Sequence, residues 1–594
     1  MFPSASSFLP RFHDDDVDDV GTLDPPPDDP PTPLPHLPPT PASSHHDSSP
    51  STTSSSVDSS SPTSPSSSSS TSTHHSDHGA APTSPPHDAQ QLGPRRSTRA
   101  NRGQPPPRLN DYVTYGVDAF VVPTRYKQAK GDPLWDAAMQ TEIDAVHANK
   151  TWTVVDRPPP EVPVIGSRWL YAIKMTPEGT IERHKARIVA QGFSQEQGVA
   201  FDEKFAPVAK MATVRTLLAV ASMRQWPLFQ LDVKNAFLHG NLKEVVYLEK
   251  PLGYNVGLPG QVFLLHKSLY GLKQAPWAWF EKFQSTVLQL GLHQSLNDPS
   301  LFVKSSSAGY VVLLLYVDDM VVTGDDIEGI DHLKKGLQSA FHLKDLGELS
   351  YFLGLEITRD RHGIMLSQRK YIGDLLSEHH FEDCLPVSIP MELNLKLSRE
   401  SGDLLSDATS YRSLVDSLIY LAATRPDISY PVQLISHFMA APRRDHLAAA
   451  HRILRYLRGT QDVSMFFPST GSPVLRAFSD PDFAGCIDTR RSTTGWCVQF
   501  GEAFVSWRCK KQDKVSNSST EAEYRPLSDV CSEVIWIRRL LGDFGVTCTI
   551  PLELFVTWCV RALFGFTMFV PKTRLLTSSP SRLRLVVIGI SQAN

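Results

Sequence analysis

Tyr310-Val-Val-Leu-Leu-Leu-Tyr316-Val317-Asp318-Asp319-Met-Val-Val-Thr-Gly324 sets two adjacent carboxylates inside an otherwise apolar stretch. The flanks are aliphatic and β-branched, so they read as two buried strands joined by a tight turn with the acids at its tip. Two like charges on a poorly solvated turn are unfavourable; either the carboxylates hold protons or a cation neutralises them. Oxygen-only ligands point to a divalent ion such as magnesium or manganese. Asp-Asp is also common in turns for its backbone bonds alone, so a second carboxylate in a matching setting is needed to give the pair weight. Asp232 supplies it, in Pro227-Leu-Phe-Gln-Leu-Asp232-Val-Lys-Asn-Ala-Phe-Leu-His-Gly240. Residues 229–233 read as a strand with the acid at its end. A strand-end Asp beside a hairpin-tip pair is what two-metal phosphoryl transfer requires, one ion activating the attacking hydroxyl and the other holding the phosphates.

Outward from these motifs, Trp135, Met139, Ile143 and Val146 recur at helical spacing, predicting a helix over 135–149. Strands are expected near 152–155 and 168–175, and a helix over 213–223. Helices dominate 411–459, strands return from Val474, and a helix starts near Thr520. This alternation, with Asp232 pairing at long range with the hairpin, predicts a mixed α+β fold.

The sequence resembles the polymerase region of copia-type (Ty1/copia) LTR retrotransposons, which are reverse transcriptases. The markers run in order from about Trp135 to Tyr524. They are Trp135-Asp-Ala-Ala-Met139, Lys185-Ala-Arg-Ile-Val-Ala-Gln-Gly192, Phe205-Ala-Pro-Val-Ala-Lys210 and Leu231-Asp-Val-Lys-Asn-Ala-Phe-Leu238. Then come Leu269-Tyr-Gly-Leu-Lys-Gln-Ala-Pro276, the Tyr316 motif, Tyr351-Phe-Leu-Gly-Leu-Glu-Ile357 and Thr424-Arg-Pro-Asp-Ile428. The resemblance implies a right-hand polymerase palm and fingers, a helical thumb or connection, and a ribonuclease H-like α/β domain. It implies an RNA template, a DNA primer and deoxynucleoside triphosphates as partners, with Mg2+ or Mn2+ as cofactor and other products of the element as further partners.

Carried over residue by residue, Asp232 and Asp318 are the expected metal ligands, and Asp319 supports the charge of the site. Val233 would offer a backbone carbonyl. Phe237, five positions after the first Asp, stands where the family has its gate against a ribose 2′-hydroxyl; a plain core Phe is the alternative. Lys185 and Arg187 alternate along a probable strand and share one face. The family reading makes that face the triphosphate cradle, where cations offset phosphate charge; a solvated face is the alternative. Tyr270, Gly271 and Lys273 resemble the segment beneath the incoming nucleotide, and Gly271 would permit close backbone approach. Residues 351–356 resemble the primer-terminus region. In His451-Arg-Ile-Leu-Arg-Tyr-Leu-Arg458, the cations Arg452, Arg455 and Arg458 recur every three residues, as a phosphate-tracking stripe or a solvated face.

The chain has 594 residues, a net charge of −5 and seven scattered cysteines with no Cys-x-x-Cys. That pattern favours neither a disulfide framework nor a zinc site and fits a reducing compartment. No signal peptide is visible. The apolar stretch 554–570 is short for a membrane span and is broken by Arg561. The expected location is cytoplasmic, in a virus-like particle, or nuclear. Residues 1–105 are rich in Ser, Pro and Asp and read as a disordered linker that cannot bury a core. Arg95-Arg-Ser-Thr-Arg99 within it reads as a nuclear signal, a nucleic-acid contact or a solvated charge cluster. A lead-in over 106–148, fingers and palm over 149–391, a helical region over 392–473, a ribonuclease H-like domain over 474–556 and a divergent tail over 557–594 complete the expected organisation.

Asp480, ending Val474-Leu-Arg-Ala-Phe-Ser-Asp480, and Glu523, in Ser518-Ser-Thr-Glu-Ala-Glu-Tyr524, match the first two ribonuclease H carboxylates of the family. Where the family has Cys-Asp-Asn, this chain continues Val556-Thr557-Trp558-Cys559, and no Asp or Glu follows Glu553. The domain therefore reads as truncated, and the tail as out-of-frame translation after a frameshift near Phe555. Pro526 inside a helix, Trp277 and Asp416 are further departures from the family pattern. A polymerase with an inactive ribonuclease H, a catalytically dead remnant, and a nucleic-acid-binding protein that keeps the fold all stay open from sequence.

Overall fold

The computed structural model describes residues 122–548, apart from 176–179, 199–200, 202, 255 and 394, together with the backbone of strands Glu553–Val556 and Arg584–Val587. The linker expected over 1–105, its basic cluster and most of the tail lie outside the described residues.

The central sheet has six strands, in the order Leu343–Glu348, Leu228–Val233, Asp319–Gly324, Gly309–Tyr316, Leu301–Ser306, His293–Gln294. Residues 311–315 and 320–322 of its two middle strands are uninterrupted apolar runs because both faces are covered. Val312, Leu314 and Val321 enter one core, whereas Val311, Leu313, Leu315, Met320 and Val322 enter another. Helices Ala275–Gln289 and Ile327–Ala340 close the second face through Trp279, Phe280, Phe283, Ile330 and Leu333. Helix Met211–Met223 closes the first. It is buried from Ala212 to Ser222, and its polar residues have partners: Thr213 donates to Asp298 Oδ2 at 2.5 Å and Ser222 to the Phe467 carbonyl at 2.6 Å.

Upstream, helix Pro133–Ala148 begins with Asp132 capping the Leu134 and Trp135 N–H groups. Its Trp135, Met139 and Val146 pack under the hairpin Ser167–Met175/Ile181–Ala190 and against a four-stranded sheet of Trp152–Val155, Val262–Lys267, Asn241–Leu248 and Val164–Ile165. Downstream, helices Arg369–Glu378, Thr409–Leu421, Ser429–Ser436 and Arg444–Gly459 build a separate core. Buried Arg425 locks it, pairing with Asp427 at 2.6 Å and donating to the Thr460 carbonyl at 2.9 Å. Strand Met465–Pro468 then returns to pair with Gly363–Ser367.

The C-terminal sheet runs in the order Ala503–Lys511, Thr493–Phe500, Leu475–Pro481, Glu553–Val556, Arg584–Val587. The first three strands are antiparallel, and Glu553–Val556 joins Leu475–Pro481 in parallel after the long helix Ser519–Asp543. Arg584–Val587, within the divergent tail, pairs parallel with Glu553–Val556. Leu475, Val498, Val505, Val534 and Leu541 belong to the same core as Leu217, Val312 and Val321 of the central region.

Candidate active site

Strand register brings the three acids together. Asp319 pairs directly with Asp232, and Tyr316 with Asp319, leaving Val317 and Asp318 as a two-residue loop. Val317 sits at φ +57°, a left-handed conformation that a β-branched residue adopts only under constraint. Two hydrogen bonds supply that constraint. The buried Trp279 indole donates to the Val317 carbonyl at 2.7 Å, and the Val233 N–H donates to the Asp318 carbonyl at 3.0 Å. The loop is thereby tied both to the helix beneath it and to the Asp232 strand.

The acids sit in an unfavourable electrostatic setting. Burial, with Asp318 and Asp232 nearby, pushes the Asp319 carboxyl up to about 6, against a side-chain bond from Gln230. Asp318 lies at the exposed lip, yet enough protein surrounds it that poor solvation raises its carboxyl. Asp232 adds to the rise, and a backbone bond, Lys185 and Arg187 oppose it. Unneutralised carboxylate oxygens of this kind suit a hard dication. As the side chains stand, no group of three or more His, Cys, Asp or Glu among the described residues is close enough to hold a metal ion. The fit therefore rests on the chemistry of the donors and their shared strand ends.

Strand Ile181–Ala190 brings Lys185 and Arg187 to the same side as Asp318. Burial and the neighbouring Arg187 and Arg183 lower the Lys185 ammonium, with Asp318 and Glu142 pulling the other way. Arg187 donates Nη1 to Glu142 Oε2 at 2.8 Å and Nη2 to Asn235 Oδ1 at 2.6 Å. Its guanidinium lies 5.3 Å over the Tyr270 ring, and Phe237 meets that ring edge-on at 5.2 Å. Burial pushes the Tyr270 hydroxyl up to about 12, against the pull of Arg187. Gly271, at φ +88°, is required by the protein itself, since a Cβ there would collide with the Ala190 carbonyl oxygen. Lys273 donates Nζ to the Gln195 carbonyl at 2.7 Å and lies 5.6 Å over the Phe201 ring. Asp232, Val233, Phe237, Asp318, Asp319, Lys185, Arg187 and Tyr270 thus share one neighbourhood, while Lys273 braces Gln195 and Phe201 beside it.

Glu142, Asn235 and Trp279 went unread in the sequence. Glu142 carried a signal: it shares the buried stripe with Trp135, Met139 and Val146, where an acid needs a partner.

The reverse transcriptase (RNA-dependent DNA polymerase) family model matches residues 149–393. The Pol polyprotein of transposon RE1 from Arabidopsis thaliana is 43% identical over 455 residues, which is 76% of this chain and 31% of that protein. The putative transposon Ty5-1 protein of Saccharomyces cerevisiae is 34% identical over 308 residues, 51% of this chain and 100% of that protein. The chain belongs to the copia-type family of retrotransposon Pol proteins. It spans about a third of the RE1-type polyproteins, 31% and 32% of the RE1 and TNT 1-94 proteins. The solved foamy viral protease-reverse transcriptase in complex with double-stranded DNA aligns over 74% of this chain and 78% of its own, at 13% identity and a TM-score of 0.36, too remote to carry an argument.

Other residues singled out in the sequence find structural positions. Asp480 falls near the end of strand Leu475–Pro481, and Glu523 in the opening of helix Ser519–Asp543. The parallel register of Leu475–Pro481 with Glu553–Val556 stops at Ser479–Val556, and Thr557 lies outside the described residues. The arginine stripe is engaged within the protein: Arg452 pairs with Glu392 at 3.0 Å, Arg455 donates to the Leu385 carbonyl at 2.9 Å and Arg458 to the Glu382 carbonyl at 2.5 Å. Trp277 packs on Phe280, ring centroids 5.9 Å apart, and Asp416 is exposed. Among the described residues no helix is long and apolar enough to cross a membrane.

Proposed function

We propose that this copia-type chain is an RNA-directed DNA polymerase. It extends a DNA primer on an RNA template by two-metal nucleotidyl transfer from deoxynucleoside triphosphates. The primer 3′ oxygen would attack the α-phosphorus, the bond to the β-phosphate oxygen would break, and pyrophosphate would leave. The supporting observation is the register that sets Asp319 against Asp232 with Asp318 at the adjoining lip, in surroundings that leave their charge poorly compensated. Asp232 and Asp318 would hold Mg2+ or Mn2+, with Asp319 adding negative charge. When bound, the ions lower the cost of charge at the attacking and leaving oxygens. The chain's own groups do the rest. Lys185 offsets triphosphate charge, the Val317–Asp318 loop holds the acids in place through its two backbone anchors, and Phe237 on Tyr270 forms the wall that meets the sugar.

The strand order of the C-terminal sheet, its parallel fourth strand and the placement of Asp480 and Glu523 support a ribonuclease H-like domain. With Thr557 where the family has its third Asp, we read that domain as inactive, so no RNA strand of a hybrid would be cut. We place this activity in cytoplasmic particles or the nucleus, in company with other products of the element.

Primer extension on an RNA template in magnesium and then manganese, comparing the parent with Asp318→Asn, tests the reading. Extension by the parent alone supports it. Soluble, folded parent protein that extends nothing would sink it in favour of a dead remnant or a binding-only role.

A further inference from the structure

Glu142 is an acid buried ahead of the matched family segment. It lies on helix Pro133–Ala148, and its side chain is 1% exposed. A carboxylate in that position is costly unless every oxygen is used. Both are used: Oε2 takes Arg187 Nη1 at 2.8 Å, and Oε1 takes the Ile188 N–H at 3.3 Å. The far end of Arg187 reaches Asn235 Oδ1 at 2.6 Å. Asn235 stands at φ +55°, three residues after Asp232, at the N-terminal position of the short turn Ala236–His239 that carries Phe237, and its carbonyl accepts the Leu238 N–H at 2.8 Å. The same guanidinium covers the Tyr270 ring, against which Phe237 packs.

We propose that Glu142 is a positioning residue for the nucleotide pocket: it holds Arg187 as a bracket that fixes the Asn235 turn and, through it, the Phe237 and Tyr270 rings. The inference rests on the polymerase reading above and adds a residue outside the matched segment to it. Both terminal nitrogens of Arg187 are engaged within the protein. Arg187 therefore acts as an internal tie, and Lys185, with the exposed Arg183 two residues before it on the same face, is left for substrate charge. Glu142→Gln keeps the shape but replaces one acceptor oxygen with a donor. That donor would face either Arg187 or the Ile188 N–H, so one arm of the bracket must open.

The test is steady-state incorporation of deoxy- and ribonucleotides by the parent, Glu142→Gln, Arg187→Gln and the double variant. Glu142→Gln is expected to raise the deoxynucleotide KM about tenfold with kcat changed less than about threefold, and to weaken the preference for deoxyribose. In the Arg187→Gln background the second change should add less than about twofold, since both cut the same tie. Asn235→Gly keeps the left-handed backbone, removes only the acceptor and leaves the buried ion pair intact. It should reproduce the KM and sugar effects, which guards against a Glu142 variant that fails to fold. Unchanged KM and sugar preference in Asn235→Gly, or independent effects in the double variant, would overturn the proposal. Amide hydrogen exchange without nucleotide gives a readout that needs no activity. Glu142→Gln should speed exchange over 234–240 and leave helix Met211–Met223 unchanged. A parent that extends no primer removes the polymerase reading, and exchange at 234–240 then decides the bracket on its own. Unchanged protection there overturns it.

Discussion

Cutting Trp507 back to alanine is expected to loosen the central sheet as well as the C-terminal one. Trp507 lies on strand Ala503–Lys511, and its indole donates to the Ala422 carbonyl at 3.2 Å. Facing it is Arg215 of helix Met211–Met223, only 5% exposed, with its guanidinium carbon 3.6 Å over the Trp507 ring. Arg215 also donates to the Met211 and Ala423 carbonyls at 3.1 and 3.2 Å. Burial pushes its guanidinium down to about 9, against the pull of Glu533. The ring is thus one of the few groups stabilising a charge that has left water. A desolvated cation–π contact contributes about 2 kcal/mol, and the indole hydrogen bond about 1 kcal/mol. Adding the lost ring packing, Trp507→Ala should cost about 3–5 kcal/mol. Trp507→Phe keeps a ring face and loses the indole bond, so about 1–2 kcal/mol is expected. Urea unfolding of the full chain gives the magnitude, and hydrogen exchange gives the location. Protection should fall over the 311–324 hairpin together with the 475–505 strands. If the C-terminal strands lose protection while the hairpin keeps all of its own, the two regions do not share a cooperative core and the reasoning fails.

Three further outcomes follow from particular contacts. Burial holds the His239 and His437 imidazoles down to about 4, against an ordinary value of 6.5. The unfolded chain then binds more protons between those values, so stability is full above about 6.5 and falls toward pH 4 by up to about 1.4 kcal/mol per pH unit per histidine. His239→Gln should flatten the profile of urea midpoint against pH, and an unchanged slope would refute its share. Gly271→Ala meets both a left-handed φ and the Ala190 carbonyl, so a loss of about 2 kcal/mol or more is expected in thermal unfolding, and a neutral result would contradict the close approach. Val317→Gly removes a strained β-branched residue at the cost of chain entropy, so a net gain of up to about 1 kcal/mol is expected in EDTA; a clear loss would show that Val317 packing outweighs its strain.

The central hairpin was legible because its signal is local. A continuous aliphatic run with acids at one point has few other readings, and the two cores on either side explain why the run does not alternate. The helix under the hairpin Ser167–Met175/Ile181–Ala190 was equally legible from Trp135, Met139 and Val146. Apart from the pairing of Asp232 with the hairpin, what escaped were contacts made by residues far away in sequence. The spacing of Arg452, Arg455 and Arg458 shows a shared face but not the 382–392 segment lying on it. That segment has irregular backbone, so its carbonyls lack ladder partners and take up the arginines. Pro526 is similar. The sequence marks a break costing about 3 kcal/mol, yet helix Ser519–Asp543 continues through it. Proline removes the N–H that would have met the Ala522 carbonyl. The Gln512 side chain donates there instead, at 3.0 Å.

These distant contacts bear on why the C-terminal sheet would persist if, as proposed, it is a ribonuclease H-like sheet without a complete set of acids. Helix Met211–Met223 is apolar around most of its circumference, and such a helix is stable only when enclosed. The central sheet covers one side. Strand Met465–Pro468, strand Ala503–Lys511 and helix Ser519–Asp543 cover the rest, with Ser222 bonded to Phe467 and Arg215 lying against Trp507. Removing the C-terminal sheet would leave Arg215 without its ring and expose apolar side chains that hold the helix against Val312 and Leu314. Losing a carboxylate that takes part in none of these contacts does neither. On the reading proposed above, selection for primer extension alone would therefore keep the sheet while leaving its acids free to change, and a change of acid to Thr at position 557 would cost ribonuclease chemistry without costing the central region its fold.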